Sequence, residues 1–120
     1  MISRLSENTT SRNLTGFNSQ VDTVTTGRTL TLDDLGKVLL INNSGSFTLS
    51  VPSDAEANFA IGDRVDVLQT GLTANVVTVS AGNATLYAES NKYKLNGQYA
   101  AATLIKTAAS TWVLIGNITS

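Results

Sequence analysis

The chain has 120 residues, enough for one domain. It has a formal net charge of −1, 14% charged residues, and neither cysteine nor histidine. This composition excludes a disulfide scaffold and the usual zinc ligands, and it lacks the clustered Lys and Arg with which nucleic-acid binders neutralise phosphates.

Membrane association is not expected either. No basic amphipathic helix is visible, and apolar runs such as Val38–Ile41 are far too short to span a bilayer. The opening residues, Met1-Ile2-Ser3-Arg4-Leu5-Ser6-Glu7, contain no continuous apolar segment of the kind a secretory signal needs. Asn-x-Ser/Thr triplets at Asn8, Asn13, Asn42, Asn83 and Asn117 follow from the abundance of these three residue types and are not read as glycosylation sites. Apolar residues make up 42% of the chain, with one proline and nine glycines. Much of the remainder is Ser, Thr and Asn, and the branched Cβ of Thr and Val suits a pleated strand.

Residues 1–20 hold only sparse apolar positions, Ile2, Leu5, Leu14 and Phe17, among Ser, Thr and Asn. Too little apolar surface is present to offset the entropy of ordering. The expectation is an extended N-terminal arm, with those four residues as the contacts to a partner, followed by a single β-domain over 21–120. Val21 to Thr26 reads as a strand ending at Gly27. Arg28-Thr29-Leu30-Thr31-Leu32 alternates, which predicts Leu30 and Leu32 on one face. Asp33-Asp34-Leu35-Gly36 then reads as one capped helical turn stopped by glycine. Lys37 to Asn42 is a continuous apolar run, as expected of a central strand covered on both faces. Asn43-Ser44-Gly45 supplies turn chemistry, and Ser46 to Val51 points Phe47, Leu49 and Val51 inward, so the two runs predict a hairpin.

Pro52 lacks an N–H and breaks the ladder, and Ser53 to Ile61 reads as a loop or short helix whose Phe59 and Ile61 plug the core edge. Arg64 to Gln69 and Asn75 to Ser80 read as strands, with shorter ones at Ala84–Tyr87 and Lys92–Leu95. Asn96-Gly97 tolerates positive φ and marks a turn. Gln98 to Thr107 and Thr111 to Gly116 predict a second hairpin across Ala108-Ala109-Ser110. About eight short strands at spacings near ten residues predict an all-β, antiparallel β-sandwich or barrel of jelly-roll type.

The absence of His and Cys removes the commonest general base and thiol nucleophile, and no glycine-rich loop opens a helix to cradle phosphate. Carboxylates remain, as Asp33-Asp34, Asp54 with Glu56, and Asp63 with Asp66. A two-carboxylate hydrolase needs no other residue type, and a calcium site at Asp33/Asp34 or Asp63/Asp66 needs only added loop carbonyls. Each cluster falls at a turn or strand end, where Asp is favoured for bonding the backbone, so the expectation is a non-enzyme with no metal and no cofactor. Trp112, in an apolar strand, reads as core. Tyr87 and Tyr93 flank a polar turn and are the candidates for an exposed recognition surface.

A resemblance runs through Thr29-Leu30-Thr31-Leu32-Asp33-Asp34-Leu35-Gly36-Lys37, Leu49-Ser50-Val51-Pro52 and the stretch from Ile61 to Gly71. It closes on Leu95-Asn96-Gly97-Gln98-Tyr99-Ala100-Ala101-Ala102-Thr103-Leu104-Ile105-Lys106 and Thr111-Trp112-Val113-Leu114-Ile115-Gly116. From about Arg28 to Ser120, roughly three-quarters of the chain, these segments resemble a β-domain common in bacteriophage virion proteins, often at the C-terminal end of tail-fibre chains. The resemblance implies a structural protein with no catalytic set to carry over, assembled as a homo-oligomer, commonly a trimer. Only about 27 residues precede the domain here, where tail fibres have a long shaft. The expectation is therefore a capsid decoration or cement protein on the exterior of the virion, made in the bacterial host cytoplasm and bound to the major capsid protein or another virion protein. The alternative is a tail-fibre or tail-tip module that binds host surface saccharide.

Overall fold

The computed structural model describes residues 20–120. Its strands are β1 (Val21–Val24), β2 (Arg28–Thr29), β3 (Val38–Ile41), β4 (Phe47–Ser50), β5 (Arg64–Gln69), β6 (Val77–Ser80), β7 (Thr85–Ala88), β8 (Lys94–Leu95), β9 (Ala101–Ala108), β10 (Thr111–Gly116) and β11 (Ile118–Thr119). They form two sheets, a six-stranded one in the order β1-β3-β5-β9-β10-β7 and a five-stranded one in the order β11-β8-β6-β4-β2. The sandwich expected from the sequence is present, and its pairing is mixed rather than antiparallel throughout.

From β1 to β8 the chain changes sheet at every step. As a result β1, β3 and β5 lie parallel in one sheet, and β2, β4 and β6 lie parallel in the other. The first six strands thus wind as three stacked coils, each giving one strand to each sheet. The expected hairpin of Val38–Ile41 with Phe47–Ser50 does not form, because Asn43-Ser44-Gly45 carries the chain around a corner into the opposite sheet. The expected second hairpin does form: β9 and β10 pair antiparallel, with a bulge at Thr111, and β9 also pairs antiparallel with β5.

Alternation along each strand builds the core. Leu39 and Ile41 of β3, Val65 and Val67 of β5, Leu104 of β9, and Trp112 and Leu114 of β10 point inward from the larger sheet. Phe47 and Leu49 of β4, Val77 and Val79 of β6, and Leu95 of β8 meet them from the smaller one. Each such side chain contributes about 1.5–3 kcal/mol on burial, opposed by the entropy of ordering the chain.

The capped turn appears as a 3₁₀ turn over Leu32–Asp34, in which the Thr31 N–H donates to Asp34 Oδ2 at 2.9 Å. This turn rotates Leu32 away from Leu30: Leu30 is buried while Leu32 is 51% exposed, so the two do not share a face as alternation predicted. Phe59 plugs the core as expected, but Ile61 is 71% exposed, because Gly62 and Asp63 turn the chain towards β5 immediately after it.

The segment between β4 and β5 is pinned across the core edge by the β9–β10 hairpin. Lys106, inward-facing on β9, donates to Asp54 Oδ1 at 2.6 Å and to the Phe59 carbonyl at 2.7 Å. Trp112 Nε1 donates to the Pro52 carbonyl at 3.1 Å, and the Asp54 N–H donates to Ser110 Oγ at 2.9 Å. Among the described residues no helix is long and apolar enough to cross a membrane.

Candidate interaction surface

The two outward faces of the sandwich differ in chemistry. On the five-stranded sheet, Thr48, Thr78, Lys94 and Thr119 run in one cross-strand row and Ser50 and Ser80 in the next. Hydroxyls and one ammonium thus face solvent there. On the six-stranded sheet, the side chains alternating with the core form three different rows. Thr23, Leu40, Leu68 and Ala101 make the first, and Val21, Val38, Asp66, Thr103 and Ile115 the second. Arg64, Ile105, Val113 and Tyr87 make the third.

Aliphatic side chains dominate these rows. Val38, Leu40, Leu68, Ile105 and Val113 are half-buried, while Val21, Tyr87 and Ile115 are exposed. The sole carboxylate on the face, Asp66, accepts a hydrogen bond from Thr103 Oγ1 directly across the ladder at 2.5 Å. A shallow groove lies over that pair, walled by Val38, Leu68, Ala101 and Ile115. Gly116, at the end of β10, also lines the groove, where β10 runs close against β9. A Cβ there would come within 2.6 Å of the Ala101 carbonyl oxygen and of Ala102 Cα, at a φ of +135° that L-residues rarely adopt.

Of the expected recognition residues, Tyr87 sits on this apolar face, 60% exposed. Tyr93 is only half-buried against the core, its hydroxyl 3.3 Å from the Leu86 carbonyl and 3.2 Å from Asn91 Oδ1. The two therefore do not present one aromatic platform. Trp112 is fully buried in the core, as expected. Tyr99, at φ +68° in the turn before β9, is 71% exposed and stands away from both. The expected partner contacts Ile2, Leu5, Leu14 and Phe17 lie outside the described residues.

Most of the carboxylates that could have served chemistry are engaged by their own fold. Asp34, 2% exposed, accepts two bonds from the Arg28 guanidinium at 2.7 and 2.8 Å. Burial pushes its carboxyl up, but the Arg28 bonds and the Thr31 N–H outweigh that and hold it below the usual range. Asp54 is also held low, first by the Lys106 ammonium and then by the Ser110 N–H. The Ser53 N–H lowers Glu56 in the same way. Asp63 caps the turn at Ala60, accepting its N–H at 2.8 Å. Among the described residues no three His, Cys, Asp or Glu side chains gather as a metal site would require.

Lys106 was not singled out by the sequence reading. A signal was available: it continues the inward series Ala102, Leu104, Lys106 on β9, where a lysine must find partners for its ammonium. The apolar rows were legible residue by residue but not as one face, because their strands are distant in sequence. No protein-family model matches the sequence, and no curated protein matches it.

Proposed function

We propose that this chain is a non-enzymatic structural protein of a bacteriophage particle, a capsid decoration or cement protein on the exterior of the assembled head. The observation that carries this reading is the contrast between the two outer faces of the sandwich, one lined by hydroxyls and one by aliphatic side chains. A subunit packed on one side and wetted on the other has this division of chemistry. The likeness of Arg28–Ser120 to virion β-domains supports it as well. Many copies, each bound through a modest surface, would reinforce a shell by mass action and avidity without a large interface per copy.

The test is direct. Purified particles from the source phage are probed with antibody to the chain and imaged by cryo-electron microscopy. Density on the head exterior at symmetry-repeated positions is the expected result, and particles devoid of the protein would refute the assignment. A second reading, a tail module that binds host saccharide, draws on Tyr87 and Tyr99, both largely exposed aromatics able to stack on a sugar ring. Density at the tail tip together with binding on a glycan array would favour that reading.

A further inference from the structure

We infer that the apolar outer face of the six-stranded sheet is a self-association surface, occupied by the same face of a second copy of this chain. The inference deepens the reading of that face as an assembly surface and names its partner.

Three observations favour a second copy. First, the face is electrically self-compatible. It carries one cation, Arg64, at the start of one row and one carboxylate, Asp66, already bonded to Thr103. Its formal charge thus sums to zero, and two copies meeting there bring no net charge together, whereas a strongly charged face would repel its own image. Second, polar groups are few on the face: Asp66 accepts a bond from Thr103, and besides these only Thr23, Arg64 and the Tyr87 hydroxyl are polar.

Third, the area is that of a weak contact. The thirteen outward positions of the three rows, at about 4.8 Å between strands and about 6.7 Å between rows, give a footprint of roughly 420 Å² per copy. The two copies together cover about 840 Å², the size of a weak, reversible contact. The 19 residues before the described domain carry only Ile2, Leu5, Leu14 and Phe17 as large apolar side chains besides Met1, too few to cover three rows.

The test is sedimentation equilibrium of the full chain between about 1 and 500 μM, the range in which a contact of this size dissociates. The expected result is a mass rising above the 12.6 kDa of one copy as concentration increases. Ile115→Glu and Val113→Glu place a charge in the face and should raise the dissociation constant about 10-fold or more. Thr78→Glu, on the hydroxyl-lined face, should leave it unchanged. Ile115 is already 46% exposed, so its substitution leaves the core intact, and far-ultraviolet circular dichroism checks the fold of each variant.

A chain that stays monomeric throughout overturns the inference, as does equal weakening by all three substitutions. Replacing Ile2, Leu5, Leu14 and Phe17 together by Ser separates the arm from the face. Unchanged association supports the inference. Stronger association would mean that the arm had been covering the face, and would overturn it. A monomer that nevertheless decorates virions removes this inference and leaves the virion reading standing; a dimer never found on particles does the reverse.

Discussion

The indole of Trp112 joins the hairpin that bears much of the apolar face to the segment that closes the core, so replacing it tests the energetic account of the fold. Trp112 is wholly buried, its Nε1–H donates to the Pro52 carbonyl at 3.1 Å, and its ring meets that of Phe59 edge-on at 5.0 Å between centroids. The Lys106 ammonium lies 5.9 Å from its centroid. Trp112→Phe removes roughly 40 Å³ of side chain, which costs about 1 kcal/mol if the cavity does not collapse. It also strands the Pro52 carbonyl without its donor, at about 1–3 kcal/mol. The total, about 2–4 kcal/mol, is a large share of the ~5–15 kcal/mol that holds a domain folded. For a domain of this size it corresponds to a fall in Tm of roughly 10–30 °C. Urea unfolding followed by circular dichroism is the appropriate assay, because the substitution removes the only tryptophan. The midpoint should fall with an unchanged slope. A variant within about 0.5 kcal/mol of the parent would refute the claim that the Pro52 bond and the Phe59 contact support this end of the sandwich.

Acid should weaken the fold in a defined window. Asp34, Asp54 and Glu56 all have folded-state values below the unfolded carboxylate range near pH 4, so their contribution is fully present above that range and is lost as pH falls through it towards the folded values. Urea midpoints should therefore be level from about pH 7 to 5 and drop by pH 3, and a midpoint that holds or rises at pH 3 rejects the assignment. Gly116→Ala should cost about 2 kcal/mol or more, because the new Cβ meets Ala101 and Ala102 backbone at 2.6 Å and the φ of +135° is strained for alanine. A melting temperature within roughly 2 °C of the parent would show that the strand end relaxes freely.

Most strands were legible in the sequence, and their partners were not. Arg64–Gln69 has the predicted bounds, and Phe47, Leu49 and Val51 point inward as their alternation requires. Strand identity is a local property, set by period-two burial and β-branched residues. Pairing is not local. Asn43-Ser44-Gly45 offers the same turn chemistry whether the chain folds back beside β3 or rounds a corner to the other sheet, and only packing between distant segments selects the second. Leu32 and Ile61 went astray for a related reason. Each follows apolar residues in a plausible rhythm, but a 3₁₀ turn in one case and the Gly62 turn in the other break the period that the pattern assumes. Lys106 was passed over because an inward lysine is recognised only once Asp54 and the Phe59 carbonyl, some 50 residues away in sequence, are seen to meet it.

The run Val38-Leu39-Leu40-Ile41 links fold to function. Its composition predicts a strand covered on both faces, and the sandwich covers one: Leu39 and Ile41 are fully buried, while Val38 and Leu40 stand on the outer side. The coiled topology places β4 and β6 in equivalent positions in the opposite sheet, and there the outward residues are Thr48, Ser50, Thr78 and Ser80. The same architecture thus tolerates hydroxyls at outward positions of a central strand, so folding alone does not require Val38, Leu40 or Leu68 to be aliphatic. Exposed aliphatic rows impose a standing cost in solubility, to which an isolated subunit has no compensating term. On the function proposed above, burial against another surface supplies that compensation, which is the physical reason to propose this face, rather than any carboxylate cluster, as the working part of the molecule.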